Sequence, residues 1–183
     1  MGTKSQIIEI ATALFQEKGY NGVGLNEIIN ACKISKGALY HHFPNGKEEL
    51  LIACLGSLNE VITKDIEEIF DQYPTIKEAM KAMIEKLIAK FETEGTITSY
   101  TFSSIVSEMG SLSEAVRIAC SNLYTKIEGI YSNKLQSDGL SEESANSIAV
   151  TMTAAIEGGI LLCLTNKTSE PLKMISQVLL RLV

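Results

Sequence analysis

Apolar residues recur at intervals of three and four positions along almost the whole chain, which is the spacing that places them on one face of an α-helix. Ile7, Ala11 and Leu14 show this spacing in the first segment, and Gly19 follows as a residue type that commonly ends helices. The alternation of apolar and polar residues that is typical of half-buried strands is absent from the sequence. The pattern therefore predicts an all-α fold whose first helix covers about residues 4–18.

Two short helices follow the first one. Residues 25–33 (LNEIINACK) and residues 37–43 (GALYHHF) each have helical spacing, and only a tight link separates them. The sequence PNG then ends the second short helix, because proline, asparagine and glycine favour turns. Two short helices joined by a tight turn form a helix-turn-helix unit. We therefore expect a three-helix domain of this type at residues 1–46.

A long helix from Lys47 to about Phe70 leads into a second helical domain, which we expect at residues 47–183. A hydroxyl residue followed three positions later by a carboxylate forms a capping box at a helix start, and Thr75 and Ser111 both begin such a pattern. The pattern predicts helices at about 76–93 and 112–137, a short helix near 99–109 between them, and two closing helices at about 141–165 and 170–182.

The charge of the chain is unevenly distributed. The net charge is −6 and the pI about 5.0, so the molecule as a whole repels nucleic acid. The first 50 residues, however, hold five lysines and five acidic residues, so the acidic excess comes from the rest of the chain. From Cys32 to Lys47 there are three lysines and no acidic residue. This locally positive segment coincides with the second short helix, where a helix-turn-helix unit contacts DNA.

The start of that second short helix carries side chains suited to contacts with DNA bases. Lys36 is able to reach a base acceptor or a phosphate, and Gly37 leaves room for the helix to approach DNA closely. Tyr40 and His41 lie one turn further on and share the same face. Double-stranded DNA is therefore the expected partner.

Two more residues are better placed for DNA phosphates than for bases. His42 points away from His41 around the helix, and Lys47 opens the next helix. Leu39 and Phe43 are expected to be the buried side that anchors the helix. The predicted DNA-binding residues are Lys36, Gly37, Tyr40, His41, His42 and Lys47.

A set of residues in the first fifty positions matches the pattern of one known family. The set consists of Ala11, Leu14, Phe15, Gly19, Tyr20, Ile28, Ser35, Lys36, Gly37, Leu39, Tyr40, His42, Phe43, Lys47 and Glu48. Together these positions resemble the DNA-binding domain of the TetR family of transcriptional repressors. Residues 156–172 (IEGGILLCLTNKTSEPL) extend the similarity to the subgroup of lincomycin-resistance and flavonoid-responsive repressors.

The resemblance implies a C-terminal helical domain for ligand binding and dimerisation. It implies a cavity for a small apolar or aromatic inducer, and the methionine and aromatic residues that suit such a cavity are Phe91, Tyr100, Phe102, Met109, Tyr124 and Tyr131. It also implies a homodimer, which matches a palindromic operator. The interface would lie on the last two helices and include Ile148, Met152, Ala155, Ile156, Gly159 and Leu179. For both sets, the alternative is an ordinary intramolecular core.

The expected function is a ligand-responsive repressor that leaves its operator when the inducer binds and controls a multidrug efflux or detoxification gene. The alternative is a redox-sensing regulator that uses Cys54, Cys120 or Cys163, although their apolar neighbours favour burial. An enzyme is not expected, because the only two histidines are adjacent on the reading helix and leave no base for a catalytic triad. The same scarcity of ligands argues against a metal, and no cofactor is expected.

The expected location is the cytoplasm. The four cysteines form no Cys-x-x-Cys pair, and the N-terminal segment is charged rather than apolar, which favours reduced thiols and no export signal. The longest apolar stretch, residues 148–165, is interrupted by Glu157 and a pair of glycines. It therefore predicts a buried helix rather than a membrane span.

Overall fold

The structure, a computed structural model, describes residues 2–97 and 103–183 and contains no strand within them. The all-α prediction is confirmed. Within the described residues the chain forms nine α-helices and one short 3-10 helix, Met109–Ser111. The α-helices are α1 (Thr3–Lys18), α2 (Leu25–Cys32), α3 (Lys36–His42), α4 (Lys47–Gln72), α5 (Ile76–Glu94), α6 (Ser103–Val106), α7 (Glu114–Ser137), α8 (Glu142–Asn166) and α9 (Glu170–Leu182).

Most of the predicted helix limits agree with the structure because local capping chemistry sets them. Thr75 caps α5, where its hydroxyl accepts a hydrogen bond from the Glu78 N–H at 3.3 Å. Pro171 lies in the first turn of α9, where its missing N–H costs nothing. The capping prediction at Ser111 is wrong. Helix α7 begins at Glu114 rather than at about residue 112, and the Ser113 hydroxyl accepts a hydrogen bond from the Val116 N–H at 3.4 Å.

The short helix predicted near residues 99–109 is shorter in the structure. Helix α6 covers Ser103–Val106, and the 3-10 helix follows it. The Ser111 hydroxyl donates to the Glu108 carbonyl at 2.9 Å, which explains why this serine belongs to the 3-10 turn rather than to the start of α7.

The described chain divides into two compact units. The first consists of Met1–Val61 with Thr98–Leu123, and the second of Ile62–Ile97 with Tyr124–Val183. Helices α4 and α7 each begin in the first unit and end in the second. The core of the first unit includes Ile7, Phe15, Ile28, Leu39, Phe43 and Leu50, each no more than 1% exposed.

Helices α8 and α9 pack closely in the second unit because Gly159 has no side chain. A Cβ atom added at Gly159 would lie 2.7 Å from Ile175 Cδ1 and 2.8 Å from Leu172 Cδ2. Met152 and Leu179 are also buried in this unit, 0% and 2% exposed. Met152, Gly159 and Leu179 therefore take part in packing within the chain.

Candidate nucleic-acid interface

Helix α3 is divided into a buried and an exposed face. Leu39 is 0% exposed and Phe43 is 1% exposed, which confirms that these two side chains anchor the helix. Lys36, Tyr40 and His41 lie on the exposed side. A helix anchored by its apolar side in this way presents its polar face as a fixed surface, which suits recognition.

A three-residue link orients α3 with respect to α2. Lys33 adopts a left-handed conformation, with φ of 54°, and ends α2. Ser35 then caps α3, where its hydroxyl accepts a hydrogen bond from the Ala38 N–H at 3.1 Å. Gly37, the second residue of the helix, is exposed and has no side chain to cover the backbone there. The predicted helix-turn-helix is therefore present with its second helix uncovered.

The aromatic rings of α3 lie close to positive side chains. The Lys36 ammonium is 5.9 Å from the centre of the Tyr40 ring, and the His41 and His42 rings meet edge to face at 5.0 Å. The Lys4 ammonium of α1 is 5.7 Å from the Phe43 ring. Sequence analysis missed Lys4, because nothing in the local pattern shows that the start of α1 reaches the end of α3.

Lys47 differs from the other predicted DNA contacts. Its side chain is half-buried, its ammonium donates a hydrogen bond to the Tyr20 carbonyl, and it lies 4.0 Å from the centre of the Tyr20 ring. Burial lowers the pKa of Lys47, and the nearby Glu108 carboxylate opposes that change. Lys47 is therefore held by the protein itself, a contact between residues 27 positions apart that sequence alone does not show.

The residues predicted to line a ligand cavity are only partly described. Tyr100 and Phe102 lie outside the described residues, and so does the side chain of Met109. Phe91 and Tyr131 are buried in the second unit, 7% and 2% exposed, and Tyr124 is half-buried.

Tyr131 has an apolar environment with a weak polar partner. Its ring stacks on Phe70 with centroids 5.4 Å apart, and its hydroxyl donates to Met83 Sδ at 3.4 Å. Burial raises the pKa of Tyr131, and the charge of Glu157 adds to this shift. A thioether is a weak acceptor, so this hydroxyl is only weakly satisfied by the contact.

The residues predicted for a dimer interface lie at different depths. Met152, Ile156, Gly159 and Leu179 are buried within the chain, whereas Ile148 and Ala155 are half-buried. Other apolar residues of the same two helices are exposed instead: Val150, Leu161, Leu162, Met174, Val178 and Leu182. Three of these exposed residues, Met174, Val178 and Leu182, form one row on α9, since they are spaced four residues apart.

All four cysteines are free and buried. Burial raises the pKa of the Cys54 thiol to about 12 and that of Cys120 to about 11, and it also raises the pKa values of Cys32 and Cys163. Thiols of this kind react slowly with oxidants, because the thiolate is the reactive form.

Metal binding and membrane insertion are two further functions on which the described residues bear. No group of three or more histidine, cysteine, aspartate or glutamate residues within residues 2–97 and 103–183 is arranged to hold a metal ion. Helix α8 is long and apolar enough to cross a membrane by length and composition, with 39% of its most apolar window buried inside the chain. Core helices of globular proteins meet the same criteria.

Comparisons with known proteins agree with this arrangement. The family of bacterial regulatory proteins called tetR matches residues 7–54, and the family of LmrA/YxaF-like transcriptional regulator C-terminal domains matches residues 77–178. Two curated proteins of Bacillus subtilis (strain 168) are similar over nearly the full chain. One is the uncharacterized HTH-type transcriptional regulator YxaF, with 34% identity covering 96% of this chain and 92% of that protein. The other is the HTH-type transcriptional regulator LmrA, with 37% identity covering 95% and 93%.

Solved structures share the fold. The crystal structure of the reduced form of E. coli NemR matches with a TM-score of 0.90 at 20% identity, covering 100% of this chain and 98% of that chain. A TetR transcriptional regulator from Legionella pneumophila matches with a TM-score of 0.86 at 22% identity and the same coverage. Since the two families together cover both parts of the chain, and since the proteins that share them are regulators rather than enzymes, this chain belongs to the TetR family of transcriptional regulators, with an LmrA/YxaF-like C-terminal domain.

Proposed function

We propose that this regulator is a cytoplasmic repressor that binds a palindromic operator as a homodimer and is released by a small apolar or aromatic inducer. The single observation that carries the proposal is the exposed face of α3, where Lys36, Tyr40 and His41 lie opposite the buried Leu39 and Phe43. In a helix-turn-helix protein, such a face enters the major groove.

The DNA contacts in this proposal are divided by their chemistry. Lys36, Tyr40 and His41 contact base edges, and Gly37 allows the backbone to approach the groove. His42 and Lys47 contact phosphates, which fix the register without reading sequence. The acidic balance of the rest of the chain keeps non-specific attraction low, so affinity depends on these few positive groups.

The exposed apolar row on α9 supports the homodimer. Met174 is 66% exposed, Val178 58% and Leu182 50%. With Thr151 and Ala155 of α8, these residues line a groove of about 280 Å³. A second copy of the same helix pair would cover this surface, and the two-fold symmetry of such a dimer matches a palindromic operator.

The inducer acts through linkage between two sites. A ligand that binds better to a conformation with wrongly spaced recognition helices must weaken DNA binding by the same factor. A tenfold loss of operator affinity requires about 1.4 kcal/mol of differential ligand binding. We place the ligand site among the aromatic residues Phe91, Tyr124 and Tyr131 of the second unit. We also propose that the regulator controls a gene for efflux or detoxification.

Redox control is less well supported than ligand control. A redox-sensing cysteine needs an accessible thiolate, and every cysteine here is buried with a raised thiol pKa. The similarity to NemR concerns the fold and lies at 20% identity, so it adds nothing about the chemistry of these thiols.

The experiment that tests the proposal compares two exposed tyrosines. Tyr40 is 39% exposed on α3, and Tyr73 is 36% exposed in the second unit. We expect Tyr40→Ala to lower the ratio of operator binding to random DNA binding at least about fivefold, since each direct base contact contributes about 1–3 kcal/mol. Tyr73→Ala should leave the ratio unchanged. If Tyr40→Ala keeps the full ratio, α3 does not read the operator.

A further inference from the structure

The turn between α1 and α2 is built around glycine and a distant carboxylate. Gly19 has φ of 72° and ψ of 177°, a conformation that is essentially restricted to glycine. A Cβ atom at this position would lie 2.2 Å from Glu108 Oε1, so the carboxylate packs directly against the glycine backbone. Glu108 Oε2 also accepts a hydrogen bond from the Asn21 N–H at 2.8 Å. The turn therefore has a defined place for the Glu108 side chain.

The other side of the same peptide group faces a positive charge. The peptide that supplies the Asn21 N–H also supplies the Tyr20 carbonyl, and this carbonyl accepts a hydrogen bond from the Lys47 ammonium. One peptide group thus lies between a carboxylate at its N–H end and an ammonium at its carbonyl end. Hydrogen bonds arranged in a chain of this kind polarise and strengthen one another.

Neighbouring contacts fix the segment that carries Glu108. The Asn21 amide Nδ2 donates to the Ser111 hydroxyl at 3.4 Å, and that hydroxyl donates to the Glu108 carbonyl at 2.9 Å. One turn earlier, the Ser104 hydroxyl donates to the Gln16 carbonyl at 2.8 Å. The region from α6 to the 3-10 helix is therefore attached to the end of α1 and to the turn at several points within the first unit.

We propose that Glu108 is a positioning residue for DNA binding: through the Tyr20–Asn21 peptide it holds the Lys47 ammonium where that ammonium contacts a DNA phosphate. This inference rests on the proposed function, in which Lys47 is a phosphate contact. It adds Glu108, which lies 61 positions after Lys47 in the chain, to the groups on which operator binding depends.

Two effects of Glu108 on DNA binding have opposite signs. A carboxylate near the interface repels phosphate, so its removal would strengthen binding. A carboxylate that positions Lys47 supports one phosphate contact, so its loss would weaken binding. The second effect dominates here, because the Glu108 carboxylate is bonded to the Asn21 N–H whereas the Lys47 ammonium keeps further donors for a phosphate oxygen.

Two variants of Glu108 separate the effect of side-chain length from the effect of charge. Glu108→Asp keeps the negative charge but shortens the side chain by one methylene, so the carboxylate no longer reaches the Asn21 N–H. Glu108→Gln keeps the reach and an acceptor oxygen but removes the charge. Glu17→Gln, at an exposed position of α1 in the same unit, is the control for a lost charge, and Lys47→Ala is the reference for a lost phosphate contact.

The readout is the slope of operator affinity against salt concentration, measured by fluorescence anisotropy with the full chain. Each lost phosphate contact lowers the slope by about 0.9. A fourfold rise in salt, from about 50 to about 200 mM, should therefore cost the wild type about 3.5-fold more affinity than it costs Lys47→Ala. We expect Glu108→Asp to match Lys47→Ala, and Glu108→Gln to keep the wild-type slope. The double variant Glu108→Asp with Lys47→Ala should be no worse than Lys47→Ala alone.

The outcomes that overturn the inference are distinct. A wild-type slope in Glu108→Asp would show that Glu108 does not position Lys47, even if affinity falls because the variant is less stable. Stronger binding by Glu108→Gln than by Glu17→Gln would show that repulsion of phosphate is its main effect.

A second measurement works without DNA. Hydrogen exchange of the Asn21 amide, followed by NMR, should be about tenfold faster in Glu108→Asp than in the wild type and little changed in Glu108→Gln. Equal exchange in all three proteins would rule out the peptide bridge. If the wild type binds no operator but the exchange result holds, the proposed function fails and the bridge between Glu108 and the turn stands.

Discussion

Replacing Gly19 by alanine tests the packing of the first unit in a way that can be worked out from the coordinates. The backbone at Gly19, with φ of 72° and ψ of 177°, costs a residue with a Cβ atom about 1–3 kcal/mol. The new Cβ atom would also lie 2.2 Å from Glu108 Oε1, so the carboxylate must move and its hydrogen bond with the Asn21 N–H is lost. That bond is solvent-exposed, so its loss adds about 1 kcal/mol. The expected destabilisation is about 2–4 kcal/mol.

Gly46→Ala is the matched control in the same unit. Gly46 also has a positive φ, 78°, but a Cβ atom there would meet only Tyr40 Cε1, at 3.9 Å, which is an ordinary contact. We expect it to cost about 1 kcal/mol, from backbone strain alone.

Thermal unfolding followed by circular dichroism, at one fixed protein concentration, measures both variants. For a chain of this length, 1 kcal/mol lowers the Tm by about 2–4 °C. Gly19→Ala should therefore lower the Tm by about 4–16 °C and Gly46→Ala by about 2–4 °C, so the loss in Gly19→Ala is at least about twice that in Gly46→Ala. If the two variants lose the same amount, the close contact between Glu108 and the turn is not present in solution, and the argument from it fails.

Three further predictions concern other parts of the chain. Burial raises the pKa of Cys54 to about 12, so at about pH 8 this thiol has about 1,000-fold less thiolate than a thiol with the ordinary pKa of 9.0, and it should react with Ellman's reagent only after unfolding. Rapid reaction of the folded protein would revive redox control. In analytical ultracentrifugation, Val178→Asp should shift the protein from dimer to monomer, whereas Val61→Asp, at a 64% exposed residue of the first unit, should leave the dimer intact. A dimer that persists in Val178→Asp would exclude the α9 row as its interface. Tyr131→Phe should change the free energy of unfolding by less than about 1 kcal/mol, because the hydrogen bond of its hydroxyl within the described residues goes to the Met83 thioether; a larger loss in urea denaturation would show a stronger partner.

The helices could be predicted from sequence because their signals are local. Apolar spacing identified the buried faces, and Leu39 and Phe43 are buried as expected. A helix start is not fixed by the local pattern where two hydroxyl residues are both candidate N-caps. Ser111 and Ser113 are both hydroxyl residues near Glu114, and only the structure shows that a 3-10 turn holds Ser111 while Ser113 caps α7.

The face of α8 that meets solvent could not be predicted, because this helix is apolar around most of its circumference. Met152, Ile156 and Gly159 are buried, whereas Val150 and Leu161 are more than half exposed, yet all five are small or apolar. Hydrophobic spacing gives the orientation of a helix only when one of its faces is polar. The sequence therefore indicated the right helices for an apolar surface without indicating which of their residues are exposed.

The contacts around Lys47 could not be predicted either, because they join residues far apart in sequence. Glu108 and Asn21 are separated by 87 positions, and neither belongs to a recognisable motif. Sequence analysis placed Lys47 correctly at the start of a helix and assigned it to DNA phosphate. It did not show that the Tyr20 carbonyl and ring already hold its ammonium.

The measurement that tests the central claim most directly is an operator titration with the purified wild-type chain. Labelled DNA from the region upstream of its own gene is titrated at about 50 and about 200 mM salt, with random DNA for comparison and with a panel of planar aromatic compounds. We predict binding that prefers the upstream DNA, weakens as salt rises, and is reversed by at least one compound at constant salt. Equal binding to both DNAs, or no binding at the lower salt, would contradict the assignment of α3 as a sequence-reading helix.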